Sequence, residues 1–259
     1  MDRDEEHAGY SGLAAELYDQ LRGQSPLRNE FEFYRQWLQC HPGPALEVSC
    51  GTGRILLRLL AAGFDIDGMD ASEDMLRLCR GKADALGLSP VLYRQLMQRM
   101  AIPRDYVTIL VPLASFMLLT KMPDAVQALD CFFRHLKPGG HLLFSTHLPR
   151  TTTNSRSDWV ICGSVLHPSR GVVRISVASE ADHQTQTATD YHRFEMMDGN
   201  AVVETAVHSI RLRWYRESEM IAMLEAAGFR NIAVWGDHAD RAATADNTVL
   251  VFDGCRPSA

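Results

Sequence analysis

The sequence predicts an α/β fold: a doubly wound, mostly parallel sheet with a helical N-terminal lid and an antiparallel β insert. Three observations carry this expectation. Residues 45–147 alternate short apolar runs with helix-periodic segments, the pattern of βαβ units whose sheet is covered on both faces. A glycine-rich turn follows the first apolar run and leads straight into a helix. After His147 the alternation gives way to consecutive strand-forming runs.

In the first 40 residues Leu13, Leu17, Tyr18 and Leu21 fall at helical spacing, and Phe31, Tyr34, Trp37 and Leu38 do so again. His41-Pro42-Gly43-Pro44 cannot continue a helix and ends this leader, giving a lid over residues 1–44. A core over 45–147 follows. Ala45–Val48 is a strand, Ile55–Ala62 a helix with Arg54 and Arg58 on one face, and Phe64, Ile66 and Met69 mark a second strand. Met75–Leu86 is a helix closed by Gly87, and Tyr106–Val111 is a strand. Ala125–Leu136 is a helix stopped by Lys137-Pro138-Gly139-Gly140, and His141–Thr146 is a further strand. Residues 148–213 read as the insert: a polar stretch, then three strands at Gly171–Ala181, Thr185–Met197 and Val202–Trp214, with Asp198-Gly199-Asn200 as a hairpin turn. Residues 214–259 complete the core with a helix, Glu217–Ala227, and strands at Asn231–Trp235 and Thr248–Phe252.

Composition narrows the function. The 259 residues carry a net charge of −6, with 46% hydrophobic and 22% charged residues. These are globular proportions with no dense basic run, so a nucleic-acid partner is not expected. No apolar stretch approaches the ~20 residues of a membrane helix. The acidic start, MDRDEEHAGY, lacks the basic and apolar regions of a secretory signal. The six cysteines are scattered, without a CxxC pair or a histidine at zinc-finger spacing. They read as reduced thiols of a cytoplasmic protein, and no metal ligand set is expected.

The chemistry concentrates in Leu46-Glu47-Val48-Ser49-Cys50-Gly51-Thr52-Gly53-Arg54. Glycines 51 and 53 let the backbone approach a ligand where a Cβ would collide. Asp70 ends the second strand, 19 residues beyond Gly51, where a βαβ unit brings its carboxylate beside the turn to accept ribose hydroxyls. A nicotinamide dinucleotide site usually reads GxGxxG, but Leu56 stands at the third position. Glu47 just before the turn would repel a pyrophosphate and attract an ammonium or sulfonium. An NAD(P)-dependent oxidoreductase is therefore the alternative enzyme class, and a cofactor-binding sensor without turnover the non-enzyme one.

LEVSCGTGR, GMDAS and HLKPGG, in that order, resemble the class I S-adenosylmethionine-dependent methyltransferases. Glu47, Gly51 and Gly53 match the first motif, with Ser49 where glycine is commoner; Asp70 matches the acid after the second strand. The resemblance spans about residues 44–147 and resumes at Trp214–Trp235. It implies a seven-stranded Rossmann-like methyltransferase fold with S-adenosyl-L-methionine as cofactor. By the same resemblance the turn Ser49, Cys50, Gly51 and Gly53 approaches the methionine part with Glu47 nearby. Asp70 holds the ribose, and Ala71 or Met75 covers the adenine. The family's usual adenine-capping acid is replaced by Gln95-Leu96-Met97-Gln98, leaving that contact to the backbone of Leu96 or Met97. The segment from Val111 lines the reaction face.

A methyl transfer needs an aligned acceptor, and a base only when the acceptor carries a proton to lose. His147, just past the fifth strand, is the candidate base, with Tyr18 beside it as a candidate at the reacting end. Tyr10 and Tyr18 could fold over the cofactor. Tyr191, His192, Trp159 and Trp214 could line the acceptor pocket, although tryptophans also serve as core anchors. The insert suits either a roof over a small-molecule acceptor or a homodimer contact.

Overall fold

Four apolar-flanked residues with no exposed position set the centre of the sheet. Strand β1 (Ala45–Val48) is buried throughout, as a strand covered by helices on both faces must be. The computed structural model describes residues 10–22, 30–147, 156–239, 241–244 and 246–258. The acidic residues 1–9 and the polar residues 151–155 lie outside them.

Before β1 come short helices α1 (Gly12–Glu16) and α2 (Tyr18–Arg22), then α3 (Glu30–Cys40). After it follow α4 (Leu56–Ala61), β2 (Ile66–Asp70), α5 (Glu73–Ala85), β3 (Leu92–Arg94) and β4 (Tyr106–Val111). Then come α6 (Met122–His135), β5 (Leu136–His147), the insert strands β6 (Val160–His167), β7 (Gly171–Asp182), β8 (Thr187–Asp198) and β9 (Ala201–Arg213), and finally α7 (Glu217–Ala226), β10 (Arg230–Gly236) and β11 (Val249–Cys255). The main sheet has seven strands in the order β10-β11-β5-β4-β1-β2-β3. β3, β2, β1, β4 and β5 are parallel, and β11 runs antiparallel to both β5 and β10. Helix α5 starts on Ser72, whose side chain accepts from Met75 N–H. Arg58 lies 3.6 Å over the Phe31 ring, fastening α3 to α4.

Two details differ from expectation. The insert is a four-stranded antiparallel sheet, β6-β7-β8-β9, with one more strand than the sequence suggests. β6 escapes sequence reading because it is an edge strand with a glycine inside it and a register shift between Ile161 and Gly163, which breaks the alternation. The Lys137–Gly140 turn, in turn, is taken up at the start of β5. Gly139 N–H donates to the Arg256 carbonyl and Arg256 N–H to that of Gly140, each at 2.8 Å, so the chain after β11 extends the pairing through the turn.

The insert's inner face rests on the lid and on the turn after β4. Val173, Ile175, Phe194 and Met196 pack against Ala14 and Leu17, while Ala181 and Trp214 pack against Ala114 and Met117. Trp214 is thus a core anchor. Tyr191 sits on the opposite face, its hydroxyl donating to Glu180 at 2.7 Å, and Trp159 lies beside it under Arg156 and Arg193. His192, one residue on, faces inward with Val177 opposite it on β7.

Candidate functional site

The turn after β1 is built from backbone that must leave the ordinary regions. Ser49, Gly51 and Gly53 have φ of 57°, 56° and 80°, so the chain reverses tightly at the carboxyl edge of the sheet. Asp70, at the end of the neighbouring strand, holds this reversal. Its carboxylate accepts from Gly51 N–H and from Ser72 N–H, both at 2.8 Å. Each oxygen keeps a lone pair for a ligand. Burial raises the Asp70 pKa, while the backbone donors Ser72, Gly51 and Ala71 pull it down. The two glycines differ in their reasons. A Cβ on Gly51 would meet only the Met75 methyl at 3.1 Å, whereas one on Gly53 would strike Cys79 Sγ and Leu57 Cγ, both at 2.7 Å. Gly53 therefore serves helix packing more than ligand approach.

Glu47 is 2% exposed, and its Oε2 has no hydrogen-bond partner. Burial pushes its pKa well up, partly offset by Arg54 and reinforced by Glu30 and Asp70. A buried acceptor left unsatisfied beside an anionic rim fits a cationic group such as an ammonium or sulfonium. The folded state binds a proton more tightly than the unfolded chain, so stability falls as pH rises from the ordinary carboxylate range through the raised value. Glu47→Gln has no such proton to lose. We expect the ligand-free variant to melt a few degrees higher than the parent at pH 7–8, yet to gain less on adding S-adenosylmethionine; scanning calorimetry with and without cofactor checks both.

The lid is tied to this rim by polar contacts. Ser72 Oγ donates to the Tyr10 carbonyl at 2.7 Å, and Gly12 N–H donates to Asp74 at 2.8 Å. Thr52 Oγ1, inside the glycine turn, donates to Asp19 at 2.7 Å, and Lys82 pairs with the same carboxylate. Tyr18 is buried with Ala15 and Met75, and Tyr10 meets it edge-on at 4.7 Å. Tyr10 also stacks on His208 of the insert at 5.3 Å. The predicted residues Tyr10, Tyr18, Gly51, Asp70, Ala71 and Met75 thus gather at one rim.

Others fall differently. Cys50 is 4% exposed and packs among Leu56 and Cys79, and its thiol is raised by burial, so only its backbone belongs to the turn. Val111 is fully buried in the main core with Phe116 and Phe144; Leu113, two residues later, joins Tyr18 and Met75 at the rim, and Ala114 packs under the insert. Leu96 and Met97 follow β3 directly beside Asp70, where Gln95 N–H donates to the Asp70 carbonyl at 3.1 Å; the Met97 side chain enters the core. His147 is half-buried at the end of β5, its N–H donating to Met117 Sδ at 3.4 Å. Sequence reasoning missed Asp19, Glu30, Ser145 and His238. Each reads locally as a helix-end acid, a turn residue or a strand residue, and only the folded chain brings it to the rim.

A methyltransferase-domain family model matches residues 45–140. The chain is 25% identical over 256 residues to a putative methyltransferase, YqeM, of Bacillus subtilis (strain 168), covering 94% of this chain and 95% of that protein. An S-adenosylmethionine-dependent methyltransferase from Clostridium acetobutylicum ATCC 824 superposes with a TM-score of 0.76 at 18% identity, over 95% of this chain and 98% of its own. The sugar N-methyltransferase KedS8 of Streptoalloteichus sp ATCC 53650 does so with a TM-score of 0.73 at 18% identity, over 96% and 95%. Leu56, at the dinucleotide motif's third glycine, is fully buried. It fits because Gly68 on β2 is bare: a Cβ there would lie 2.5 Å from Leu56 Cδ2.

Proposed function

We propose that this chain, a member of the class I S-adenosylmethionine-dependent methyltransferase family, methylates N, O or C of a small molecule seated between its lid helices and its insert sheet. The observation that carries the reading is the Asp70 carboxylate bound to Gly51 N–H, with the unpartnered Glu47 oxygen behind it. S-adenosylmethionine, when bound, supplies a methyl group already activated on a sulfonium. The residues that would hold it are Asp70 for the ribose, the Ser49–Gly53 backbone and Glu47 for the amino-acid end, and Ala71, Met75, Leu96 or Met97 around the adenine. Tyr10 and Tyr18 exclude water from above. His147, at the carboxyl edge of β5, would take a proton from an acceptor that must lose one.

A cavity of about 190 Å³ between lid and insert, lined by Tyr10, Leu21, Val165, Ile175, Val177 and His192 among others, borders the proposed cofactor rim through Tyr10 and has room for a small molecule only. Among the described residues no helix is long and apolar enough to cross a membrane. We place the protein in the cytoplasm on its scattered, unpaired thiols. Edge strand β6, where Val160, Ile161 and Leu166 are exposed, is the surface we propose for a homodimer contact.

Titration calorimetry with S-adenosylmethionine and with NADPH separates the enzyme classes. We expect heat from the first alone, followed by S-adenosylhomocysteine release with a small amine, phenol or alcohol from a panel, and none with transfer RNA or denatured protein. Binding of NADPH alone would overturn the reading. Cofactor binding with no turnover on any acceptor would favour a sensor.

A further inference from the structure

The turn after β4 holds two successive non-glycine residues in the left-handed region, Leu113 (φ 55°) and Ala114 (φ 56°). Side chains resist that conformation, so something must hold it. Both N–H groups are captured by buried acceptors. Leu113 N–H donates to Glu30 Oε1 and Ala114 N–H to Ser145 Oγ, each at 3.0 Å. Glu30 comes from the start of α3, more than eighty residues earlier, and is fully buried. Its other oxygen takes Arg54 Nη2 at 2.5 Å, from the residue directly after the glycine turn. His238 Nε2 stands 3.8 Å from the same Oε1, but burial lowers its pKa and neither ring nitrogen has a hydrogen-bond partner. Arg54 is thus the standing cation beside Glu30.

The strained turn is also a junction. The Leu113 side chain joins Tyr10, Tyr18 and Met75 under the lid, whereas Ala114 packs with Met117, Ala181 and Trp214 under the insert. A shift of these two residues would change the gap between lid and insert at the carboxyl edge of β4, next to the glycine turn. We propose that Glu30 is a positioning residue: its hydrogen bond to Leu113 N–H, oriented by Arg54, fixes the turn that faces the sulfonium end of the cofactor. The inference rests on the methyltransferase reading above.

Two conservative variants pull the functions of Glu30 apart. Glu30→Gln keeps one acceptor at full reach for Leu113 N–H, but loses the charge and sets an amide NH2 where Arg54 Nη2 now meets an oxygen. Glu30→Asp keeps the charge but withdraws the acceptor by one methylene. Calorimetry with S-adenosylmethionine and with adenosine, which lacks the amino-acid end, reads the result. Glu30→Asp should weaken S-adenosylmethionine by about tenfold or more while adenosine stays within about threefold, and Glu30→Gln should lose less S-adenosylmethionine affinity than Glu30→Asp. Wild-type affinity in Glu30→Asp would overturn the proposal. So would parallel loss of both ligands in that variant, which is a plain structural effect, or a loss in Glu30→Gln as deep as in Glu30→Asp, which would make the ion pair the functional contact. If the unaltered protein binds neither ligand, the methyltransferase reading itself fails, whatever the variants do.

Discussion

Asp70→Ala should abolish useful cofactor affinity. In the proposed reading the carboxylate accepts two ribose hydroxyls, and hydrogen bonds to a charged group contribute about 1.5–3 kcal/mol each, so the expected loss is roughly 3–6 kcal/mol, or at least about a hundredfold in Kd. The same substitution removes the acceptor of Gly51 N–H and Ser72 N–H, so the glycine turn loses its tie to β2 as well. Titration calorimetry measures the affinity, and far-ultraviolet circular dichroism separates this loss from unfolding. Because burial raises the Asp70 pKa, cofactor affinity should also weaken in acid at a higher pH than a free carboxylate would give, as the proton displaces the acceptor. Unchanged affinity in Asp70→Ala would move the ribose elsewhere.

The second large effect is on stability. Gly53→Ala forces a Cβ to 2.7 Å from both Cys79 Sγ and Leu57 Cγ, at a φ of 80° that side chains avoid. Overpacking of this kind costs about 1–3 kcal/mol and the left-handed backbone about 1–2 more. For a chain of this size the sum lowers Tm by roughly 5–15 °C. Gly81→Ala is the matched control. It lies inside α5 with nothing within 4 Å of its added Cβ. There alanine should stabilise by about 0.5–1 kcal/mol through helix propensity. Thermal melts of both variants test the contrast; equal melts would mean that the contact with Cys79 and Leu57 relaxes freely.

The local pattern of the chain determined a good deal. Mostly apolar runs at Ala45–Val48 and Tyr106–Val111, each followed by a break and a periodic segment, are legible as covered parallel strands because burial on both faces removes alternation. Glycines 51 and 53 and the carboxylate 19 residues on are legible as a rim because the strand–turn–helix–strand unit fixes their distance. What the sequence left open depends on contacts between distant segments. β6 has no periodic signal of its own and exists as a strand because β7 offers it an edge. Val111 belongs to the core and Leu113 to the rim, because two left-handed residues turn the chain after β4; no residue type announces them, since neither is glycine. Glu30 looks like an ordinary acid in the first turn of a helix, and it becomes the link between α3, the glycine turn and the β4 turn only when packing removes it from water and leaves Arg54 and Leu113 N–H as its partners. Short-range spacing sets where a strand ends and a turn begins, whereas long-range burial decides which polar groups must find one another.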